Sequence, residues 1–202
     1  MANRNTSGFG LIPVGTIGST PSTQGTGKYY IEAADADDLF QGCVVNSKAG
    51  FVVQASSTNT FLTLGVFNGI FYNASTTLKP TWANWYNQPI TPANSENITC
   101  FVLDNPFQLF VGSAAAAVTQ ANMGRTVSFT AAVPTGSEIS GQCSNTLNIT
   151  TINDTLRQWR LVRSAEDPEN SDITQNFCSF VFAQSLGQYL LNTATVGNDW
   201  TI

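Results

Sequence analysis

The side chains able to do chemistry in this sequence are 13 carboxylates, 8 lysines and arginines, 4 cysteines and a set of aromatics, with no histidine. Without imidazole there is no Ser-His-Asp triad, no imidazole metal site and no histidine general base. Catalysis would rest on carboxylates, and a glycosidase pair must sit about 5–10 Å apart. Most of the acids instead gather in two short stretches. Glu32, Asp35, Asp37 and Asp38 lie in EAADADD, which lacks the D-x-[DN]-x-[DN]-G order and distal Glu of a calcium loop and reads as a solvated turn. Glu166, Asp167, Glu169 and Asp172 follow Arg157, Arg160 and Arg163 in LRQWRLVRSAEDPENSD. Mutual pairing is the simple reading, at about 0–1 kcal/mol per exposed pair. In an assembly the same arginines would reach a neighbour, because Arg makes bidentate contacts and is favoured at interfaces. No G-x-G-x-x-G, P-loop or G-x-S-x-G occurs. The expectation is a protein with no catalytic residues, no metal and no cofactor.

Cys43, Cys100, Cys143 and Cys178 contain no C-x-x-C pair, so a thiolate zinc site is not expected. Cys100 in ITCFVL and Cys178 in NFCSFVF sit in apolar, strand-like runs, the setting of buried free thiols acting as small hydrophobes. A disulfide is the alternative, which a reducing cytoplasm would disfavour. Trp82, Trp85 and Tyr86 in PTWANWYNQP offer a stacking platform for a sugar, with aromatic core packing as the competing reading.

The elements that must position these residues are read from composition and pattern. Only 10% of residues are charged, against about 25% in ordinary soluble domains. Asn, Gln, Ser and Thr together make 72 of 202 residues, so the surface is one of amides and hydroxyls. A net charge of −5 leaves no basic stripe for nucleic acid. No run approaches the roughly 18 apolar residues of a membrane span. In MANRNTSGFGLIPVGTIG, Gly10, Pro13 and Gly15 interrupt any signal-peptide core, which implies a product made and used without Sec export.

Residues 1–27 hold six Gly, two Pro and eight Ser or Thr around one apolar island, Phe9-Gly10-Leu11-Ile12-Pro13-Val14. This composition predicts an extended N-terminal arm with no paired strand, whose apolar plug docks on a partner or a neighbouring subunit. From Lys28 the pattern is β. Strands are expected over 28–33, 42–45, 50–56, 60–72, 81–86, 97–104, 108–112, 126–133, 146–151, 158–163 and 177–182, separated by Pro, Gly and Asn turns. Gly65 and Gly69 mark a bulge or close approach in the longest run. One helix is expected, Ser113–Asn122, ended by Gly124, and the turn at 185–191 fits strand or helix. The fold class is therefore mainly β: an antiparallel sandwich or barrel formed by a single domain over 28–202, with the arm and at most one or two short helices.

Taken in order, these pieces form a recognisable set. SGFGLIPVG followed by KYYIEAADADDLFQGCVV resembles the opening of a family of tailed-phage virion proteins, with its polar leader, G-F-x-P-V-like plug and K-Y-x-I-x strand. Leu64-Gly65-Val66-Phe67-Asn68-Gly69 through Tyr72, then Lys79-Pro80-Thr81-Trp82 and Trp85-Tyr86, resemble the family's L-G-V-F-x-G…Y…P-x-x-x-x-Y-W-like stretch. Val102-Leu103-Asp104-Asn105-Pro106 with Leu109-Phe110 resembles its V-x-D-x-P-x-x-x-F element. The likeness runs from about Gly8 to Gly124 and loosens over the final third. At Gly42-Cys43-Val44-Val45 the family's G-D-P-V is lost, and with it the acid and proline that shape that turn.

The resemblance implies a non-enzymatic virion structural protein, a capsid decoration or cement protein on a double-stranded DNA phage head. Its implied place is the capsid surface, after assembly in the host cytoplasm. Its partners are the major capsid protein and its own copies, with a trimer suggested by the local three-fold positions of capsid lattices. Phe9, Leu11, Ile12, Pro13 and Val14, with Arg157, Arg160 and Arg163, are the expected shell or inter-subunit contacts. Neither nucleic acid nor membrane is an expected partner. The rival readings are a carbohydrate-binding head-fibre or tail adhesion module using Trp82, Trp85 and Tyr86, and a connector or tail-tube subunit.

Overall fold

The chain is described here by a computed structural model covering residues 3–18, 25–33, 35–55, 62–129 and 135–189. It contains twelve named strands: β1 (Ile12–Thr16), β2 (Gly27–Ile31), β3 (Val44–Lys48), β4 (Phe51–Gln54), β5 (Gly65–Asn73), β6 (Pro80–Ala83), β7 (Ile98–Leu103), β8 (Gln108–Ser113), β9 (Thr126–Phe129), β10 (Leu147–Asn153), β11 (Trp159–Ser164) and β12 (Ser179–Gln184). Two 3-10 turns, Ala93–Ser95 and Gln120–Asn122, complete the described elements. The strands form two antiparallel sheets that stack as a β-sandwich and do not close into a barrel. Among the described residues no helix is long and apolar enough to cross a membrane.

The first sheet runs β1-β8-β12-β11-β9-β10. Its inward face carries Phe110, Val127, Phe129, Leu147, Trp159, Leu161, Phe180 and Phe182. Trp159 meets Phe110 and Phe129 edge-on, with ring centroids 5.6 and 6.2 Å apart, the geometry that the ring quadrupoles favour. The second sheet runs β2-β7-β5-β3-β4, with β6 also paired to β5. In β7 the period-2 alternation sends Ile98, Cys100 and Val102 to one face, where they bury with Ile31, Val45, Val52, Phe67 and Ile70. This sheet curls around that cluster, bringing β2 near β4. Its opposite face then divides: Val44, Val66 and Leu103 join the first sheet's core, while Thr99 and Phe101 lie outside it.

Every strand expected from Lys28 onward has a counterpart, although residue 56 of the expected 50–56 strand, 60–61 of 60–72 and 130–133 of 126–133 lie outside the described residues. Gly69 does mark a bulge: the β5–β7 register shifts between Phe67 and Gly69. The expected helix over Ser113–Asn122 does not form. Ala114 and Val118 are buried in the core, and backbone bonds from Ala114 N to Cys178 O (3.1 Å) and Val118 N to Ile173 O (2.8 Å) hold the segment extended. Alanine's helix propensity amounts to only tenths of a kcal/mol per residue, less than such packing. Only the 3-10 turn at Gln120–Asn122 remains, where Thr119 and Asn122 cap one another.

Residues 12–16 are extended but, contrary to the sequence reading of an unpaired arm, they form a strand. β1 lies antiparallel on β8, Ile12 opposite Val111 and Thr16 opposite Gln108, with a register shift between Pro13 and Gly15. An edge position tolerates the missing Pro N–H, and the shift absorbs the irregular pair. Upstream, Gly10 N bonds Asn145 O (3.2 Å) and Leu11 N bonds Gly42 O (2.9 Å). Gly10 has φ +70°, and a Cβ there would sit 2.7 Å from Gly42 O, so this crossing needs glycine. Further back, Asn3 and Asn5 bond the 170–176 loop and Arg4 pairs with Glu169. Residues 19–24 lie outside the described residues.

Candidate interaction surfaces

The N-terminal apolar run is split by its pairing. Leu11 is 2% exposed and packs over Gly112 beside Phe129 in the chain's own core, so it is closed to a partner in this fold. Phe9 and Pro13 are half-buried, and both border a cavity of about 140 Å³ shared with Gln41, Asn68 and Gln142. Ile12 and Val14 face solvent. With Ile17 and Phe107 they are between 45% and 58% exposed, and Ile17 N bonds Phe107 O (2.8 Å), which places those two side by side. Among the described residues β1 is the end strand of its sheet, so Ile12 and Val14 are presented at the sheet's edge. The sequence reading reached Ile12 and Val14 but missed Ile17 and Phe107. Phe107 follows Pro106 in a turn, and its exposure depends on the chain reversal between β7 and β8.

The three arginines do not act as one group. Arg160 points outward from β11 and its Nη1 donates to Gly124 O (3.0 Å). Arg163 donates to Ser164 O and lies 3.9 Å from Glu166, an exposed pair of the expected kind. Arg157 is partly buried before β11, and its Nε meets no hydrogen-bond partner among the described residues. Arg125 pairs with Asp154 at 3.3 Å.

Trp82, Trp85 and Tyr86 separate because β6 ends at Ala83. Tyr86 is fully buried in the second sheet's cluster, bridges Leu39, and donates its hydroxyl to Asp35 O (2.9 Å). Burial, reinforced by Asp35 and Asp38, pushes its phenol up to about 12. Trp85 stacks on Phe40 with centroids 5.6 Å apart and planes within 5°. Trp82 alone of the three is open, at 54%. Register gives it other company: Trp82 lies opposite Phe71, Phe71 opposite Thr99 and Thr99 opposite Tyr30. Phe101, next on that face of β7, sits 5.2 Å from the Trp82 ring. Gly69 lies beneath that ring, where a Cβ would come 2.8 Å from the indole. Tyr30, Phe101, Phe71 and Trp82 thus form an aromatic strip across four strands, with Lys28 Nζ 5.8 Å from the centre of the Tyr30 ring. Sequence reasoning missed the strip because the central strands β5 and β7 carry large apolar residues on both faces, and only the sheet's curl decides which face is covered.

The acids do not converge on a site. Asp35 accepts from Asp37 N (3.0 Å) and Asp38 from Gln88 N (3.0 Å), and burial raises the Asp35 carboxyl. Asp167 is lowered by donation from Asn170, and Asp172 by donation from Thr174. Tyr29 donates to Asp104 (2.6 Å) and its phenol is pushed up by burial, then by Asp104 and Tyr189. Among the described residues no group of three or more Cys, Asp or Glu is arranged to hold a metal ion.

Comparison of the chain with protein-family models, curated proteins and solved structures returns no match.

Proposed function

We propose that the chain is a non-enzymatic structural protein of a tailed-phage virion, a decoration or cement protein that binds the outer surface of the capsid shell and stabilises it. The observation that carries this reading is the exposed row of Ile12 and Val14 on the edge strand β1, continued by Ile17 and Phe107 beside it. Covering four such side chains contributes several kcal/mol per copy at about 25 cal/mol per Å². Their backbone is already held against β8, so little ordering cost opposes the gain. Low charge reduces repulsion among crowded copies, and amides and hydroxyls suit wet interfaces. The ordered likeness of residues 8–124 to tailed-phage virion proteins points the same way, towards the major capsid protein as partner and a trimer as the self-assembly.

The test is co-sedimentation of the purified chain with expanded heads assembled from the same phage's major capsid protein. The triple variant Ile12→Ser, Val14→Ser, Ile17→Ser is expected to fold and stay in the supernatant. Undiminished pelleting would overturn the reading.

A second reading, a carbohydrate-binding adhesion module on a head fibre or tail, is favoured by the strip of exposed Tyr30, Phe71 and Trp82 with half-buried Phe101 among them. Flat aromatic faces of this kind take the apolar face of a pyranose ring. Binding on a glycan array that Trp82→Ala abolishes, without pelleting on heads, would select it.

A further inference from the structure

Cys43 and Cys143 lie in a small cluster of their own, with Phe40 and Trp85, apart from both main cores. Their sulfurs are 2.8 Å apart across 100 residues of chain, and both residues are almost wholly buried. The backbone brings them together independently of the sulfurs. Gln41 pairs in parallel with Gln142, Gln41 N bonds Gly141 O (2.9 Å), and Cys143 N bonds Gln41 O (2.9 Å). Cys43 N closes a turn onto Phe40 O (3.0 Å), and the neighbouring Gly42 N bonds Phe67 O (2.9 Å). Phe40 stacks on Trp85 beside them. Both segments also carry the N-terminal crossing: Leu11 N bonds Gly42 O, Gly10 N bonds Asn145 O, and a Cβ on Gly10 would sit 2.8 Å from Cys143 Cβ. The pair therefore lies directly under the segment that leads into β1.

We propose that Cys43–Cys143 is an oxidative cross-link site, a disulfide that rivets the 141–145 segment to the entry of β3 and so locks the seat of the N-terminal strand. The cross-link is intramolecular and does not depend on what β1 binds. The oxidant is a low-molecular-weight disulfide such as oxidised glutathione. One cysteine, as thiolate, attacks a sulfur of the oxidant, forming a mixed disulfide and expelling one small thiolate. The second cysteine, as thiolate, then displaces the other small thiolate, leaving the protein disulfide. Two protons and two electrons leave the protein, and the oxidant departs as two thiols. Burial raises the Cys43 thiol well above its ordinary range, which slows attack in the folded state. The bond accordingly forms fastest during folding. Cys100 and Cys178, buried in separate clusters and pushed up to about 12 and about 11, serve as internal controls.

The experiment refolds the full chain in a glutathione redox buffer, with reduced refolding in parallel. Free thiols are then alkylated under denaturing conditions and the unreduced digest is mapped by mass spectrometry. The expected result is a peptide pair linked through Cys43 and Cys143, about 2 Da lighter than the two thiols, with Cys100 and Cys178 alkylated. Closing a loop this long should raise Tm by on the order of 10 °C over the reduced protein. Cys43→Ser and Cys143→Ser should each lose both the link and the shift, while Cys100→Ser keeps them. If oxidised, folded wild type still alkylates at Cys43 and Cys143, or links either to Cys100 or Cys178, the proposal is overturned. A Cys43–Cys143 link that lowers Tm would overturn the locking role.

Discussion

Replacing Leu11 by alanine separates two accounts of the N-terminal run that the sequence alone leaves entangled. If the run is a tether waiting for a partner, trimming Leu11 costs the isolated chain nothing measurable. In this fold Leu11 is 2% exposed and seated over Gly112 beside Phe129, in the cluster that holds Trp159 and Phe182. Leu→Ala removes three carbons from that site, about 2.4 kcal/mol at ~0.8 kcal/mol each, before any cavity left behind is counted. A total near 3 kcal/mol is expected. For a chain of this size that lowers Tm by about 6–12 °C. The neighbouring Ile12→Ser, on a side chain that faces solvent, should change stability by less than about 0.5 kcal/mol. The assay is paired thermal and urea denaturation of both variants followed by far-UV circular dichroism, with wild-type m-values confirming the same transition. A Leu11→Ala protein as stable as Ile12→Ser would refute the placement of Leu11 in the core and return residues 9–14 to the role of a free arm. The same argument rules out simple truncation as a binding test. Removing residues 1–14 would take Leu11 out of the core and most of β1 off β8, confounding lost binding with lost stability.

Four further outcomes follow from particular contacts. Trp82→Ala should cost no more than about 1 kcal/mol, since the ring is half exposed, and should leave head co-sedimentation intact; lost pelleting with retained fold would move the shell contact to the aromatic strip. Gly10→Ala should destabilise by more than about 1 kcal/mol, because φ +70° and the nearby Gly42 carbonyl both oppose a Cβ; a neutral effect in urea titration would count against the crossing. Asp172 has a carboxyl lowered by Thr174, so its contribution is present above the unfolded value of about 3.9 and is lost as pH falls through the lower folded value. Asp172→Asn should therefore flatten the stability loss below about pH 4, and hydrogen exchange at residues 3–5, which lean on this loop, reports it directly. Tyr86 is raised to about 12, so stability holds up to the unfolded value near 10 and declines as pH rises from there towards 12; Tyr86→Phe, losing its bond to Asp35 O, should cost about 1 kcal/mol at neutral pH and weaken the alkaline decline.

The two exposed surfaces differ in how they are built. The β1 surface lies at the end of a sheet, with its exposed side chains on a strand already ordered by β8. The aromatic strip is the uncovered part of a face whose other part, Val44, Val66 and Leu103, is spent on packing against the first sheet. Their separate construction lets point variants at Ile12 and at Trp82 report on one surface without disturbing the other.

Composition and alternation were enough to determine the β class, the strands from Lys28 onward, the buried thiols and the bulge at Gly69, because each depends on local propensity or on a period-2 pattern within one segment. Tertiary structure alone decided the rest. Pairing with β8 turned residues 12–16 from a Gly- and Pro-interrupted leader into a strand. Long-range backbone bonds from Ala114 and Val118 to the carbonyls of Cys178 and Ile173 unmade the helix that SAAAAVTQAN favours by itself. The end of β6 parted Trp82 from Tyr86, and the register of β2, β7, β5 and β6 assembled a different aromatic set in its place. Cys43 and Cys143 met across 100 residues through the pairing of Gln41 with Gln142. The physical reason is common to all of these: each outcome is set by partners distant in sequence, whose burial and backbone bonding outweigh the tenths of a kcal/mol per residue that local preference supplies.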